Sequence, residues 1–200
     1  MNFTEYNKIK DYNYAQYCDY LQSKYGIGLC DYMTKTFNKK KQCTRTKEGL
    51  VAHHKMENYA SKLAEPIEAV KYPFEWQTAP NIVYCDYLEH FLLHILICES
   101  KLDNPLDGEL VGIGGIIQYI IPELNDMYSG WKTTQGWRAT CHSKVINDKD
   151  VYLTLIKRLT VNCKDYPYCN PQLFLSSYNT QYGNWNKENN KALFNEIIKL

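Results

Sequence analysis

Residues 81–94 read NIVYCDYLEHFLLH, and they change character at one point. Up to Cys85 the residues are β-branched and aromatic, which predicts a short strand. From Asp86 the apolar positions take a helical spacing. Glu89 stands three residues after Asp86, the arrangement that caps a helix start. A strand passing directly into a helix is therefore expected, the helix running through DYLEHFLLHILICES to Ser100. His90 and His94 are four apart on it and share one face. The helix is otherwise almost wholly apolar, and an imidazole buried without a partner costs roughly 1–3 kcal/mol. Two imidazoles at ligand spacing point to a metal ion.

Upstream, GLVAHHKMEN (residues 49–58) places His53 and His54 side by side at the end of a second apolar run, which predicts another strand. Neighbours on an extended backbone point to opposite sides, so one of the pair can face an ion while the other faces elsewhere. The chain has five histidines, and these two places use four of them. The fifth, His142, is expected to be structural.

Taken together, His53-His54, Asn81, His90 and His94 resemble the HNH endonucleases of the ββα-metal superfamily. A His pair closes one strand, an Asn begins the next, and histidines follow nine and thirteen residues beyond that Asn. The form is most similar to the colicin-type DNases, in which every metal ligand is histidine. The resemblance covers roughly residues 49 to 98. It implies that His53, His90 and His94 bind one divalent ion, that His54 is the general base, and that Asn81 braces the loop carrying His54. It also implies hydrolysis of DNA, double-stranded by expectation, to 5′-phosphate and 3′-hydroxyl ends. Asn81 has a second reading, as a turn residue after Pro80. The paired CxxC zinc knuckles of many such proteins are missing, since Leu88 stands three residues beyond Cys85 and Thr46 three beyond Cys43.

Three imidazoles favour Zn²⁺, Ni²⁺ or Co²⁺ over Mg²⁺, which prefers oxygen. Zn²⁺ or Ni²⁺ is expected to bind tightly, with Mg²⁺ or Mn²⁺ serving turnover as phosphate oxygens and water complete the sphere. The alternative is a non-catalytic DNA-binding module whose structural zinc is held by the same histidines. Within the nuclease reading, a restriction-type or phage-encoded enzyme fits by analogy.

Net charge is +1, which excludes a generally basic protein, yet the charge is unevenly spread. Lys35 to Lys47 holds six basic residues and no acidic one, whereas Lys62 to Glu109 holds nine acidic against three basic. That asymmetry suits contact with a polyanion through one face. Lys39, Lys40, Lys41, Arg45 and Lys47 are the candidate DNA contacts. WKTTQGWRATCHSK (131–144), expected to be irregular, is a second candidate through Trp131, Trp137, Arg138 and Lys144.

The eight cysteines are irregularly spaced and MNFTEYNKIK has no signal-peptide core, so free thiols of a cytoplasmic protein are expected. The longest apolar stretch, LVGIGGIIQYII (110–121), is short of the roughly 20 residues of a membrane span. Its glycines do not make a dinucleotide fingerprint, because Ile117 stands where the third is needed.

The chain divides into an N-terminal helix and basic arm (1–48), an HNH core (49–99) and a mainly helical C-terminal region (100–200), an α+β fold overall. One helix is expected over residues 4–24, a strand around YMTKTF (32–37), and a turn-rich segment at 103–109. Further helices are expected at 115–128, 148–162 and 186–200. Tyr6, Tyr14, Tyr17 and Tyr20 recur at helical spacing and are expected to be core contacts.

Overall fold

The computed structural model describes residues 1–101, 111–166, 169, 177–181 and 183–200. The protein is α+β, with a two-stranded antiparallel sheet among the described residues and helices before and after it. The turn-rich segment expected at 103–109 lies outside the described residues.

The N-terminal segment forms two helices, α1 (Phe3–Ile9) and α2 (Tyr14–Tyr25), not the single one expected. The break has a local cause. Asn13 accepts a hydrogen bond from the Gln16 N–H and receives the Gln16 side chain on its own N–H, a complete capping box that starts a new helix. Tyr6, Tyr14 and Tyr17 are buried, with Ile9, Cys18 and Leu21 beside them.

No strand forms at 32–37. Met33 and Lys39 make a single bridge around a tight turn in which Phe37 has φ of 56°. The hydroxyls of Thr34 and Thr36 bond each other and Asn38, offering the backbone an alternative to a ladder. Cys30 and Cys43 are joined by a disulfide across this loop, with Cα atoms 5.4 Å apart, which corrects the expectation of eight free thiols. The other six cysteines are buried and free.

Strand β1 (Val51–His54) pairs with β2 (Ile82–Cys85), Val51 opposite Cys85 and His54 opposite Ile82. Between them lie α3 (Pro66–Ala69) and short 3₁₀ turns at Phe74–Gln77 and Ala79–Asn81. Two strands alone are marginal in water. Here α2 covers β2, and α4 (Tyr87–Ser100) follows it directly. Asp86 and Glu89 cap α4 reciprocally, at 2.8 and 2.7 Å, and the Met1 ammonium is paired with the Asp86 carboxylate.

The C-terminal region begins with α5 (Ile113–Gly115), a π-helical turn (Ile116–Ile120) and α6 (Ile121–Tyr128). Pro122, near the start of α6, has no N–H to continue the ladder, consistent with the irregular turn before it. Then come α7 (Gly136–Val145), α8 (Lys149–Asn162) and α9 (Lys191–Ile197). Helix α7 corrects the irregular reading of 131–144 from Gly136 onward, while residues 131–135 are irregular as expected. Arg158 on α8 grips Glu99 on α4 through two bonds of 2.8 Å and donates to the Lys10 carbonyl, tying α8 to α4 and to the end of α1. One hydrophobic cluster runs from Tyr6 to Ile197 through α4, whose Leu88, Phe91, Leu92, Leu93 and Ile95 are fully buried. No helix among the described residues is long and apolar enough to cross a membrane.

Candidate metal centre

Four side chains converge where β1 ends against α4. His53 Nδ1 lies 3.3 Å from Glu57 Oε2, His94 Nε2 lies 3.4 Å from the same oxygen, and His94 Nε2 lies 3.2 Å from His90 Nε2. One ligand atom from each of the four falls within 4.8 Å of the others. Ligands at about 2.0–2.1 Å from a tetrahedral ion stand about 3.3–3.4 Å apart. Three of the six separations are close to that size, and the others lie within 4.8 Å. The cluster could hold one metal ion.

Hydrogen bonds on the outer side of the rings fix which nitrogens carry lone pairs. His94 Nδ1 donates to the Gly112 carbonyl at 2.9 Å, so its Nε2 faces the cluster bare. Tyr14 Oη lies 2.8 Å from His53 Nε2 and 3.1 Å from the Lys55 carbonyl; with its proton on that carbonyl it accepts from His53 Nε2, and His53 Nδ1 is then bare for an ion. Burial raises the Tyr14 phenol well above its usual range, so the proton stays on it. His53 Nδ1 is buried and makes no hydrogen bond. His90 Nε2 can donate to His94 Nε2 at 3.2 Å, whereas His53 Nδ1 has no hydrogen-bond partner, and a cation at the centre would take the lone pairs of all three rings.

Burial also holds the imidazoles of His53 and His90 in the neutral, ligating form. It lowers His53 to about 3 and His90 well below its usual range, the Glu57 carboxylate opposing the shift and neighbouring imidazoles adding to it.

His54 lies on the other face of β1. Its ring meets Tyr32 edge-on at 4.6 Å between centroids. Its Nε2 lies 3.0 Å from Gln77 Oε1, and Gln77 Nε2 donates to the Leu63 carbonyl at 3.1 Å. A carbonyl can only accept, so the amide is oriented with its oxygen toward His54 and the His54 proton sits on Nε2. His54 Nδ1 is then the basic nitrogen; it makes no hydrogen bond and lies 3.5 Å from Glu57 Oε1.

Asn81 does not reach the His53-His54 turn. Its amide donates to the Glu75 carbonyl at 2.7 Å, bracing the 3₁₀ turn that carries Gln77. The direct brace expected of Asn81 is supplied by Gln77. The three histidines expected as ligands come together, and Glu57 joins them in the cluster. Glu57 stands four residues after His53 in a 3₁₀ turn (Lys55–Asn58), and that spacing is the only signal the sequence offered.

Two glycines seat His94. A Cβ on Gly115 would fall 2.5 Å from His94 Cε1 and 2.9 Å from its Nδ1. Gly112 has φ of +78°, the conformation that turns its carbonyl onto His94.

The basic run is only partly available to a partner. Arg45 is committed to the fold: it pairs with Glu48, donates to the Tyr25 carbonyl and stacks over the Tyr84 ring at 5.0 Å. Lys39 pairs with Glu65 at 3.1 Å on the surface. Lys41 and Lys47 are exposed and Lys40 is half-buried. His142 is buried against Glu123 at 2.6 Å, between the rings of Tyr87 and Trp131.

A cleft of about 490 Å³ opens beside the cluster, lined by Glu57, His90, His94, Lys62, Gly115 and Tyr119 among others. His53 and His54 are fully buried and do not line it, so Glu57, His90 and His94 are the side of the cluster that meets it. No family model, no curated protein and no solved structure matches the chain.

Proposed function

We propose that the chain is a divalent-metal-dependent nuclease of the HNH type, with β1, β2 and α4 as a ββα-metal core, hydrolysing DNA phosphodiesters to 5′-phosphate and 3′-hydroxyl ends. The observation that carries this reading is the convergence of His53, Glu57, His90 and His94 beside a further imidazole, His54, whose Nδ1 keeps its lone pair. Metal centres that only hold a fold have no need of an adjacent oriented base.

A divalent ion held by these residues supplies Lewis-acid polarisation of the scissile phosphate and stabilises charge on the leaving 3′ oxygen. His54 would take the proton at Nδ1 from a water admitted beside Glu57, the cleft-lining residue whose carboxylate lies 3.5 Å from that nitrogen. Gln77 keeps its Nε2 protonated and its ring in place, as the buried acceptor behind a general base must. The cleft beside His90 admits the phosphodiester, and Lys41 and Lys47 supply phosphate contacts that set register without reading sequence. The donor set favours Zn²⁺ or Ni²⁺ for tight binding, and Mg²⁺ or Mn²⁺ serves turnover.

One observation favours a second reading. Glu57 makes a fourth protein ligand, and sets of four are usual for structural zinc. In that case the module binds DNA without cutting it.

Cleavage of supercoiled plasmid by wild type and His54→Ala, with Mg²⁺, Mn²⁺, Ni²⁺, Zn²⁺ or EDTA, separates the two. The nuclease reading expects metal-dependent nicking that the variant loses while its metal affinity is unchanged. No cleavage by folded, metal-loaded wild type with any of these ions overturns it in favour of the structural-zinc module.

A further inference from the structure

A second cavity, of about 320 Å³, lies on the other flank of His90. It shares His90, Gln118, Tyr119 and Ile120 with the larger cleft, so the two meet at the candidate metal ligand. Both volumes fall in the range of about 300–1,000 Å³ typical of small-molecule sites. A group whose central oxygens sit at the cluster would therefore have one substituent directed into each.

The walls of the smaller cavity have a definite chemistry. Trp137, at the start of α7, is 44% exposed, unusual for an indole in a chain with ample core to bury one. The Arg138 guanidinium lies 5.2 Å from the Trp137 ring centre and 6.0 Å from that of Trp131. Arg138 is held there by Glu123 at 3.2 Å, and Glu123 in turn by His142 at 2.6 Å. This chain of contacts fixes an indole and a guanidinium as neighbouring flat surfaces at the mouth. The amide side chains of Gln118 and Gln181 also line the wall, and Tyr119 is 66% exposed between the two cavities. A flat aromatic surface backed by a cation, amides able to bond a heterocycle edge, and an adjoining site for an anion together match one ligand class.

We infer that the cavity walled by Trp137 and Arg138 is a base-stacking subsite, which takes the nucleobase next to the phosphodiester placed at the His53–Glu57–His90–His94 cluster. The inference rests on the phosphodiester reading of that cluster and adds a requirement: the base is held out of a helical stack. Single strands, loops and frayed or mismatched ends are then bound better than an intact duplex. Stacking on an aromatic side chain contributes about 1–3 kcal/mol per base whatever its identity, roughly a 5- to 150-fold change in affinity.

The test measures binding by the Zn²⁺-loaded protein of a fluorescent single-stranded oligonucleotide and of the same strand carrying abasic positions. For Trp137→Ala, affinity for the intact strand is expected to fall about tenfold or more. The abasic strand is expected to bind both proteins equally, and Zn²⁺ affinity to be unchanged. Trp137→Phe keeps a stacking face and is expected to retain most of the affinity. Equal binding of the intact strand by wild type and Trp137→Ala, or an equal loss for both strands, overturns the subsite and leaves the nuclease reading standing. Wild type that binds Zn²⁺ but neither strand removes both. As a check that needs no variant, an oligonucleotide with a photoreactive brominated base is expected to crosslink to the peptide containing Trp137. Crosslinks confined to other peptides overturn the inference.

Discussion

Gln77 Oε1 lies 3.0 Å from Nε2 of His54, and the Leu63 carbonyl behind Gln77 fixes which way that amide faces. The pair is twenty-three residues apart in sequence and both members are buried. Gln77→Leu keeps much of the volume but leaves the His54 ring unheld and both tautomers open. Polar partners of this kind typically contribute 10- to 100-fold to the function of the group they orient. A loss of about that size in cleavage rate is expected, with metal affinity changed less than twofold. Nitrogen-15 shifts of the His54 ring test the cause directly: an Nε2–H signature in wild type and a mixture in Gln77→Leu. An unchanged signature in the variant rules out the orienting role.

The seat of His94 gives a sharper contrast. Gly115→Ala places a methyl 2.5 Å from His94 Cε1, a distance at which the ring or the backbone must move, and the ring is a candidate ligand. A fall in Zn²⁺ or Co²⁺ affinity of about tenfold or more is expected, with a changed visible spectrum of the Co²⁺ form. Gly136→Ala is the control, because a Cβ there meets nothing within 4 Å. Equal affinities for the two variants would show that His94 is not placed by this contact.

Much of the centre is legible in the sequence, for a reason of geometry. His90 and His94 share a helix face whatever the tertiary fold, and His53 and His54 diverge because strand neighbours always do. Other parts rest on contacts that no local period encodes. Glu57 looks like any surface acid, and only the folding of the Lys55–Asn58 turn toward α4 brings it into the candidate cluster. Gln77 sits in an irregular connector, and Gly115 belongs to a glycine run whose meaning depends on packing against His94. The errors have equally local causes. Asn13 splits the first helix by capping a second one, and the hydroxyls of Thr34 and Thr36 defeat a strand that their β-branched type favours.

Metal binding is expected to stabilise the fold, since the ligands join β1, its following turn and α4. At about 1,000 times its dissociation constant an ion that binds only the native state adds about 4 kcal/mol. For a chain of this size that is roughly 10 °C in Tm. Differential scanning calorimetry with Zn²⁺ is expected to show the rise and EDTA to reverse it. Glu57→Ala and His90→Ala are each expected to remove most of it. The absence of any rise with Zn²⁺, Ni²⁺, Co²⁺ and Mn²⁺ would sink the metal centre.

Away from the centre, Asp126 makes stability depend on pH. Burial raises its carboxyl to about 6 from 3.8, against the lowering pull of Asn190 and the Asn179 N–H. The folded protein therefore holds this proton more tightly than the unfolded chain does. The stabilisation is complete below about pH 4 and is lost as pH rises through about 6, by at most about 3 kcal/mol. Urea unfolding at pH 4.5 and 7.5 is expected to show a smaller difference for Asp126→Asn than for wild type. The comparison is of the difference, because the variant also loses one of the two hydrogen bonds at both pH values. An identical difference in the two proteins would place the linkage elsewhere.

The Cys30–Cys43 disulfide links the basic arm to the candidate base. It closes a loop of 13 residues in sequence separation, and a crosslink of that span contributes about 3 kcal/mol by limiting the unfolded chain. Tyr32 lies in this loop, with its ring 4.6 Å from that of His54 and its N–H donating to the Gln77 carbonyl at 2.7 Å. Opening the disulfide frees the segment that backs both His54 and Gln77, whereas the ligands on β1 and α4 are held by the sheet and the core. Cys30→Ser is thus expected to lower Tm by several degrees and the cleavage rate severalfold, with Zn²⁺ affinity nearly unchanged. A loss of Zn²⁺ affinity as large as the loss of rate would mean instead that the loop supports the whole centre, and that the two faces of β1 are not independent.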